Sequence, residues 1–321
     1  MGGRRVVITG IGTITPIGSG RQGLWAGVRR GESAARPITR FDPAPFRSRI
    51  AAEVTDFDPL DYMDARKARR LDRFSQFAVA ASQQALTDAR MRTNSQDTTI
   101  AVYVGSALGG VAFAEEQHAR FLTQGIHAVE PTVALAVFGG SAATNVAIEF
   151  GFRGPAMGNA NSCASGLIAL GEAFRLIRMG GADVALAGGV EAPLAPLTFG
   201  AFARINAMTT RNDDPTRASR PFDRDRDGFL MAEGAAILVL EELEHALARD
   251  ARPYAEVLGY GTTNDAYHMT VPRPSGEEAA RAMTLALAEA RVSPSEVGYL
   301  NAHATATPLG DPAEALAIRL A

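Results

Sequence analysis

A single cysteine leaves this chain without any internal disulfide. Aromatic residues are scarce, at 7% with one tryptophan. Neither sign of charge dominates: 32 basic against 35 acidic residues give a net charge of −3, which argues against a general nucleic-acid surface. No stretch approaches the roughly 20 apolar residues of a membrane helix. The opening MGGRRVVITG lacks a long apolar segment followed by a small-residue cleavage site. The expectation is a soluble, cytoplasmic protein with no membrane partner. No His/Cys pair has zinc spacing, so no metal site is expected. What the chain does have is 321 residues, 46% of them hydrophobic, and 32 glycines. That length buries a sizeable core in one large or two medium domains. Small residues in place of aromatics suit helices packed close to a sheet.

Arg5–Ile8 (RVVI) reads as a buried strand ended by Gly10 and Gly12. Leu71, Phe74, Ala78, Ala81 and Ala85 fall at helical spacing and predict an amphipathic helix over 67–90. Ile100–Val104 predicts another strand, followed by the loop Gly105–Gly110. A helix is expected over Gly166–Met179, stopped by Gly180-Gly181, and strands over Val184–Ala187 and Ile237–Glu241. Alternating strands and helices imply a layered α/β architecture.

Two stretches look like copies. RRVVITGIGTIT (4–15) resembles PYAEVLGYGTTN (253–264), and ALTDARM (85–91) resembles ALAEARV (286–292). Each helix is followed by a polar loop and an expected strand, over 99–104 and 297–302. Order and spacing agree as well as letters, so the chain reads as an internal duplication, with a first half over 1–252 and a second over 253–321. A capping box of Ser275 with Glu278 marks the start of the second helix. The second half has only 19 residues after Ala302, so the second repeat is expected to be incomplete.

Cys163 sits in GPAMGNANSCASGLIALGEAF. By count alone a lone cysteine is more often a small buried hydrophobe. Its setting points elsewhere: small residues crowd it and a helix pattern begins directly after it. A helix N-terminus presents the positive end of the peptide dipoles, favours the reactive thiolate and offers N–H groups to an oxyanion. His303, in YLNAHATATPLGD, follows an expected strand, at the edge where α/β proteins place their sites. His268 lies in the loop NDAYHMTVP, whereas His118, His127 and His245 have polar, structural surroundings. Gly10-Ile11-Gly12 lacks the third glycine of a dinucleotide loop. The run Asp223–Gly228 opens like a calcium loop, but Gly234 stands where a bidentate glutamate is required. Arg66, Lys67, Arg69, Arg70 and Arg73 form a basic face that could meet an acidic partner.

NSCASG, GGVEA, RPFDRDRDGF, EGAAILVLE, NDAYHMT and NAHATATPLGDPAEA together resemble the β-ketoacyl-(acyl carrier protein) synthases of the elongating, type II class. The resemblance runs from residue 4 to residue 321. It implies an α/β thiolase-like fold: two pseudo-repeats in five layers, α-β-α-β-α, assembled as a homodimer. It implies Cys163 as nucleophile and His303 as a catalytic histidine. Thr270, Thr305 and Thr307 match positions that contact phosphopantetheine, and Leu108, Val133 and Phe202 match the acyl pocket. Asp311 and Glu314 match structural acids near the site, and Arg66, Arg69 and Arg70 match the docking region for acyl carrier protein. No cofactor is implied beyond the 4′-phosphopantetheine that carries the substrates.

The activity so implied is decarboxylative Claisen condensation of a Cys163-bound acyl chain with malonyl carried on the acyl carrier protein, in fatty-acid elongation. A type II polyketide or polyene ketosynthase is an alternative of the same class. A non-catalytic chain-length partner is one of another class, against which the presence of Cys163 argues. Two departures from the family pattern stand out. HATAT replaces the common HGTST around His303, and the family's second catalytic histidine, lysine and Phe-Gly-Gly loop fall beyond position 321. The 321-residue chain alone is therefore expected to be impaired.

Overall fold

The computed structural model describes residues 3–91 and 99–321. In chain order the elements are β1 (Val6–Ile14), α1 (Gly20–Arg30), β2 (Arg36–Pro37), β3 (Ile50–Ala51), α2 (Ala65–Ala68) and α3 (Arg73–Asp88). Next come β4 (Ala101–Gly105), α4 (Val111–Gln124), α5 (Val133–Ala136), α6 (Ser141–Phe150), β5 (Ala156–Asn159) and α7 (Ser165–Arg178). The remainder is β6 (Val184–Glu191), α8 (Pro196–Arg204), β7 (Gly234–Glu242), α9 (Leu243–Ala248), β8 (Ala255–Val257), α10 (Glu277–Ala290) and α11 (Gly310–Leu320). The polar loop expected between the first copy's helix and strand falls on residues 92–98, outside the described residues. Packing divides the chain into two compact units: Met1–Ala34, Ala52–Phe199 and Ala232–Val257 form the first, and Ala35–Ala51, Gly200–Met231 and Leu258–Ala321 form the second.

The first unit is built on a six-stranded mixed sheet in the order β5-β4-β6-β7-β1-β8. β4 runs parallel to β5 and β6, while β1 runs antiparallel to β7 and β8. Alternate residues of each strand face opposite sides. Val102, Val104, Leu186, Ile237 and Val239 join one buried cluster with Phe74, Phe77, Ala78, Ala81 and Ala85 of α3 and Ala142, Ala143 and Val146 of α6. Gly105 and Gly189, out of phase with that set, meet Ser165 and Gly166 of α7. α7 therefore lies on the opposite face from α3 and α6.

β1 does not stop at its glycines; it runs through Gly10 and Gly12 to Ile14, with a register shift between Ile8 and Gly10. The reason is α3. A Cβ on Gly10 would fall 2.2 Å from the Ala85 carbonyl oxygen, and one on Gly12 would fall 1.8 Å from that of Ala81. These glycines admit a helix backbone onto the strand, and the dinucleotide-like run is part of that strand.

The second unit repeats the device. A Cβ on Gly259 would lie 2.2 Å from the Ala286 oxygen and one on Gly261 2.0 Å from that of Ala282, both in α10. Polar partners repeat as well. Ile11 N–H donates to Asp88 (3.0 Å) and Tyr260 N–H donates to Glu289 (2.8 Å). Arg90 and Arg291, just past α3 and α10, are both left-handed, with φ of 51° and 57°. These paired contacts are the duplication expressed in three dimensions.

Four further sequence expectations are corrected. The helix expected over 67–90 is broken. The Asp72 carboxylate caps α3 through Phe74 N–H (2.8 Å), while the Gln76 amide donates to the carbonyls of Ala68 and Leu71 (2.8 and 3.2 Å), satisfying the broken turn. The capping box of Ser275 with Glu278 does not form. Gly276, with φ of 67°, takes the N-cap position of α10 because the backbone of α11 crowds that residue, and Glu278 pairs with Arg281 instead. No strand forms over 297–302: among the described residues it finds no pairing partner, whereas β4 is flanked by β5 and β6. Arg73 does not belong to a solvated basic face. Its guanidinium binds the buried Glu233 carboxylate (2.9 and 3.1 Å) and the Val54 carbonyl, 4.4 Å from the Phe77 ring centroid.

The duplicated contact predicts matched sensitivity. Gly12→Ala and Gly261→Ala should each destabilise the protein by roughly 3 kcal/mol, because the new methyl meets helix backbone that cannot rotate away. Urea unfolding of the two variants checks this; a loss under about 1 kcal/mol in either would contradict the shared packing.

Candidate active site

The region around Cys163 is a strand-turn-helix elbow in the first unit. β5 ends at Asn159, Ser162–Ala164 makes one 3₁₀ turn, and α7 starts at Ser165. Ser162 is held at φ 50°, left-handed geometry that is costly for a non-glycine residue. The turn lifts Cys163 to an exposed position immediately ahead of a 14-residue helix.

Glycines decide how deep the elbow sits. A Cβ on Gly105 would fall 2.2 Å from the Ser165 carbonyl oxygen, and one on Gly166 3.2 Å from the Gly189 Cα. Asn159 then ties three pieces together. Its carbonyl accepts from Ser106 N–H (3.0 Å) and its amide donates to the Ser165 carbonyl (3.0 Å).

The turn after β4 carries Leu108. Glu191, the last residue of β6, accepts hydrogen bonds there from Ser106 Oγ (2.9 Å), Ala107 N (2.7 Å) and Leu108 N (3.3 Å). Burial pushes the Glu191 carboxyl pKa up, against the pull of those three donors. Leu108 and Val133 are both half-buried, and the two glycines after Leu108 press on the C-terminal end of α5, the end away from Val133: a Cβ on Gly110 would meet the Ala136 oxygen at 2.3 Å. Asp72 accepts from Phe113 N–H (3.0 Å) as well as Phe74 N–H. Burial raises its pKa from 3.8 to about 6. Its bonds from Phe74 and Phe113 and the Arg73 charge oppose the rise, and the Glu191 charge adds to it.

On the basic face, Asp64 caps α2 through Arg66 and Lys67 N–H (2.9 Å each), and Lys67 is paired with Glu149. The side chains of Arg66, Arg69 and Arg70 are exposed, and none enters an ion pair among the described residues. The exposed positive charge is thus three arginines.

The second unit holds the other candidates. A cleft of about 210 Å³ is lined by His303, Thr305 and Glu314 together with Asp265, Arg273 and Glu278. Glu314, in α11, accepts from His303 N (2.6 Å) and Ala304 N (2.8 Å) and so fixes the main chain at the histidine. Thr305 and Thr307 hydroxyls are 3.0 Å apart, and Gly310 N–H donates to Thr307 Oγ1 (3.0 Å). A Cβ on Gly310 would come within 2.4 Å of that oxygen, so only glycine leaves both hydroxyls in place. Asp311 is buried and accepts from Phe222 N (2.6 Å).

Thr270 does not line this cleft. It is exposed, and its N–H donates to His268 Nδ1 at 3.1 Å. Phe202 is half-buried and packs edge-on to Phe229, with centroids 5.9 Å apart. The HATAT departure has a structural consequence: Ala304 and Ala306 both take left-handed φ, 49° and 61°. Glycine is the residue that such a backbone favours.

Several supporting residues were missed. Arg226, within the run that opens like a calcium loop, donates to the carbonyls of Thr307 and Pro308 (3.0 Å each), and Gly228 N–H donates to Ala306 O (2.9 Å). The neighbouring Asp227 accepts from Thr209 and Thr210 (2.7 and 2.9 Å). The charge alternation was visible in the sequence, but the partners of Arg226 lie some 80 residues onward. Glu191 was visible only as the acid of the GGVEA motif, with nothing to show what it holds, and Asp72 carried no signal beyond being an acid ahead of a helical pattern.

Comparison with known proteins follows from this geometry. The β-ketoacyl synthase N-terminal domain matches residues 3–246 and its C-terminal domain matches residues 254–321. A 3-oxoacyl-[acyl-carrier-protein] synthase 2 of Synechocystis sp. is 45% identical over 319 residues, covering 99% of this chain and 77% of the relative. Among solved structures, the ishigamide ketosynthase/chain length factor superposes with a TM-score of 0.92 at 38% identity, covering 98% of this chain and 77% of that one. A type II polyketide ketosynthase in complex with its acyl carrier protein, bound to a hexaketide, gives 0.87 at 34% identity, with 99% and 77% covered.

Two outcomes follow from the site's local energetics. A carboxyl whose pKa is raised by folding stabilises the fold while protonated; that stabilisation is full below pH 3.8 and is lost as pH rises through about 6. Asp72→Asn, neutral throughout, should flatten the stability–pH curve across that window while keeping the helix cap, as measured by urea midpoints from pH 4 to 7. Ala304→Gly should stabilise the protein by about 0.5–1 kcal/mol, since glycine adopts the observed φ without steric cost. Thermal unfolding at fixed pH reads this directly; an unchanged or lower midpoint would contradict it.

Proposed function

This chain belongs to the β-ketoacyl synthase family, and we propose that Cys163 and His303 are the residues through which it performs that family's reaction. The activity is that of an acyltransferase, a 3-oxoacyl-(acyl carrier protein) synthase acting in fatty-acid elongation, on an α/β thiolase-like fold. The observation that carries the assignment is the elbow at Cys163: an exposed thiol at a glycine-packed junction of strand and helix, preceded by a left-handed serine.

The proposed cycle has two halves. The Cys163 thiolate attacks the thioester carbonyl of an acyl chain delivered on acyl carrier protein. The tetrahedral oxyanion collapses, the phosphopantetheine thiol leaves with a proton, and the acyl group remains on Cys163. Malonyl on a second carrier then loses carbon dioxide. The His303 imidazole hydrogen-bonds to the resulting enolate oxygen, and the enolate carbon attacks the acyl-Cys163 carbonyl. The Cys163 thiolate is expelled and the β-ketoacyl carrier departs. Thr305 and Thr307 present hydroxyls to the phosphopantetheine arm, with Thr270 contributing from its own loop. Asp311 and Glu314 hold the surrounding backbone, and Leu108, Val133 and Phe202 bound the acyl chain. Arg66, Arg69 and Arg70 receive the acidic carrier, a role supported by their unpaired exposure and by the carrier-bound polyketide relative. We further propose a cytoplasmic homodimer that needs no cofactor of its own. Consistent with this, no helix among the described residues is long and apolar enough to cross a membrane.

The type II polyketide ketosynthase among the solved structures supports a second reading, a type II polyketide or polyene ketosynthase. Product analysis after repeated malonyl additions separates the two.

Mass spectrometry of the protein incubated with acyl carrier protein thioesters tests the assignment. One acyl mass should appear on Cys163 and vanish in Cys163→Ala, and an unmodified wild-type thiol would sink the nucleophile. His303→Ala should still accept the acyl group on Cys163, while whatever malonyl decarboxylation the 321-residue chain supports should fall by about 100- to 1,000-fold.

A further inference from the structure

Glu191 is the one acid whose carboxylate meets three successive residues of the turn after β4. Its oxygens take Ser106 Oγ–H, Ala107 N–H and Leu108 N–H, and Ser106 Oγ in turn accepts from Gly109 N–H (3.0 Å). No ion pair involves Glu191 among the described residues, so its hydrogen-bonding capacity goes to this turn. The far end of the same segment hangs on a second carboxylate, Asp72, through Phe113 N–H (3.0 Å). Gly109 is left-handed, with φ of 57°, and Gly110 lies against the Ala136 carbonyl, so the backbone between the two carboxylates has no slack.

We propose that Glu191 is a positioning residue for acyl-chain length: it fixes the Leu108 backbone and thereby the depth of the apolar pocket that Leu108 bounds. The proposal rests on the reading of Leu108 as a pocket wall. Its physical basis is that Leu108 sits in a turn rather than in a strand or helix, so no ladder of backbone bonds holds it. The carboxylate supplies the missing acceptors. A glutamine holds the turn less firmly: with its one oxygen on the Ala107 and Leu108 N–H groups, its amide faces Ser106 Oγ, and that hydroxyl must reverse from donor to acceptor.

The test is a chain-length profile: kcat/KM for Cys163 acylation by a series of acyl carrier protein thioesters from short to long. Glu191→Gln should change the ratio between the longest and shortest donors by about tenfold, the scale on which a pocket senses a methylene. The shortest donor should keep its rate within about threefold, because it does not reach the Leu108 wall. A uniform fall across all lengths would show a merely structural role and overturn the proposal. If Glu191→Gln does not fold, Ser106→Ala, which removes one of the carboxylate's three donors, decides by the same ratio. Leu108→Ala is measured alongside. If it leaves the profile unchanged, the pocket reading fails; if it shifts the profile while both turn variants do not, only the positioning role fails.

Discussion

Close approach of helix backbone to strand backbone, allowed only at glycine, is the constraint on which this structure rests. It occurs where α3 lies on Gly10 and Gly12, where the start of α7 lies on Gly105 and Gly189, and again where α10 lies on Gly259 and Gly261. Protein interiors are close-packed, so a helix cannot retreat by the width of a methyl without opening a gap along its length. The depth of each helix is therefore set by the lack of a side chain on the strand beneath it. Cys163 inherits its position from this: the elbow that lifts it out is as deep as Gly105, Gly166 and Gly189 allow.

A second device works on the polar side. Several candidate site segments lie at the ends of strands and helices, where backbone N–H groups have no ladder partner. In each case an acid accepts from them: Glu191 for the turn at Leu108, Glu314 for His303 and Ala304, Asp311 for Phe222, and Asp72 for the starts of α3 and α4. Burying a carboxylate is costly, which is why Asp72 and Glu191 titrate high, but several donors at once offset the cost and hold a loop as firmly as a helix. Arg226 does the converse for the carbonyls of Thr307 and Pro308. A site built on loops needs side chains that fix their backbone, and these side chains fix the candidate segments.

Much of the fold was legible because helical and strand periods are local properties. The buried face of α3 was visible in Phe74, Ala78, Ala81 and Ala85, and the duplication in the repeated glycine and alanine letters. The errors share one cause. Gly10 and Gly12 read as a strand end, Ser275 as a cap, 297–302 as a strand and Arg73 as a solvent-facing base. Each was judged by its neighbours in sequence, while its behaviour was decided by α3, by α11, by the absence of a pairing strand and by Glu233.

What the sequence determined by itself was the family, through its motifs, and the candidate reacting groups: a lone thiol among small residues ahead of a helix and a histidine in a threonine-rich loop. These depend on residue type and short spacing. What only the tertiary structure decided was the support: which carboxylate holds Leu108, which arginine holds Thr307, and how deep Cys163 sits. The first two contacts join residues more than 80 positions apart, and a chain written in one dimension carries no record of which distant backbone will come close.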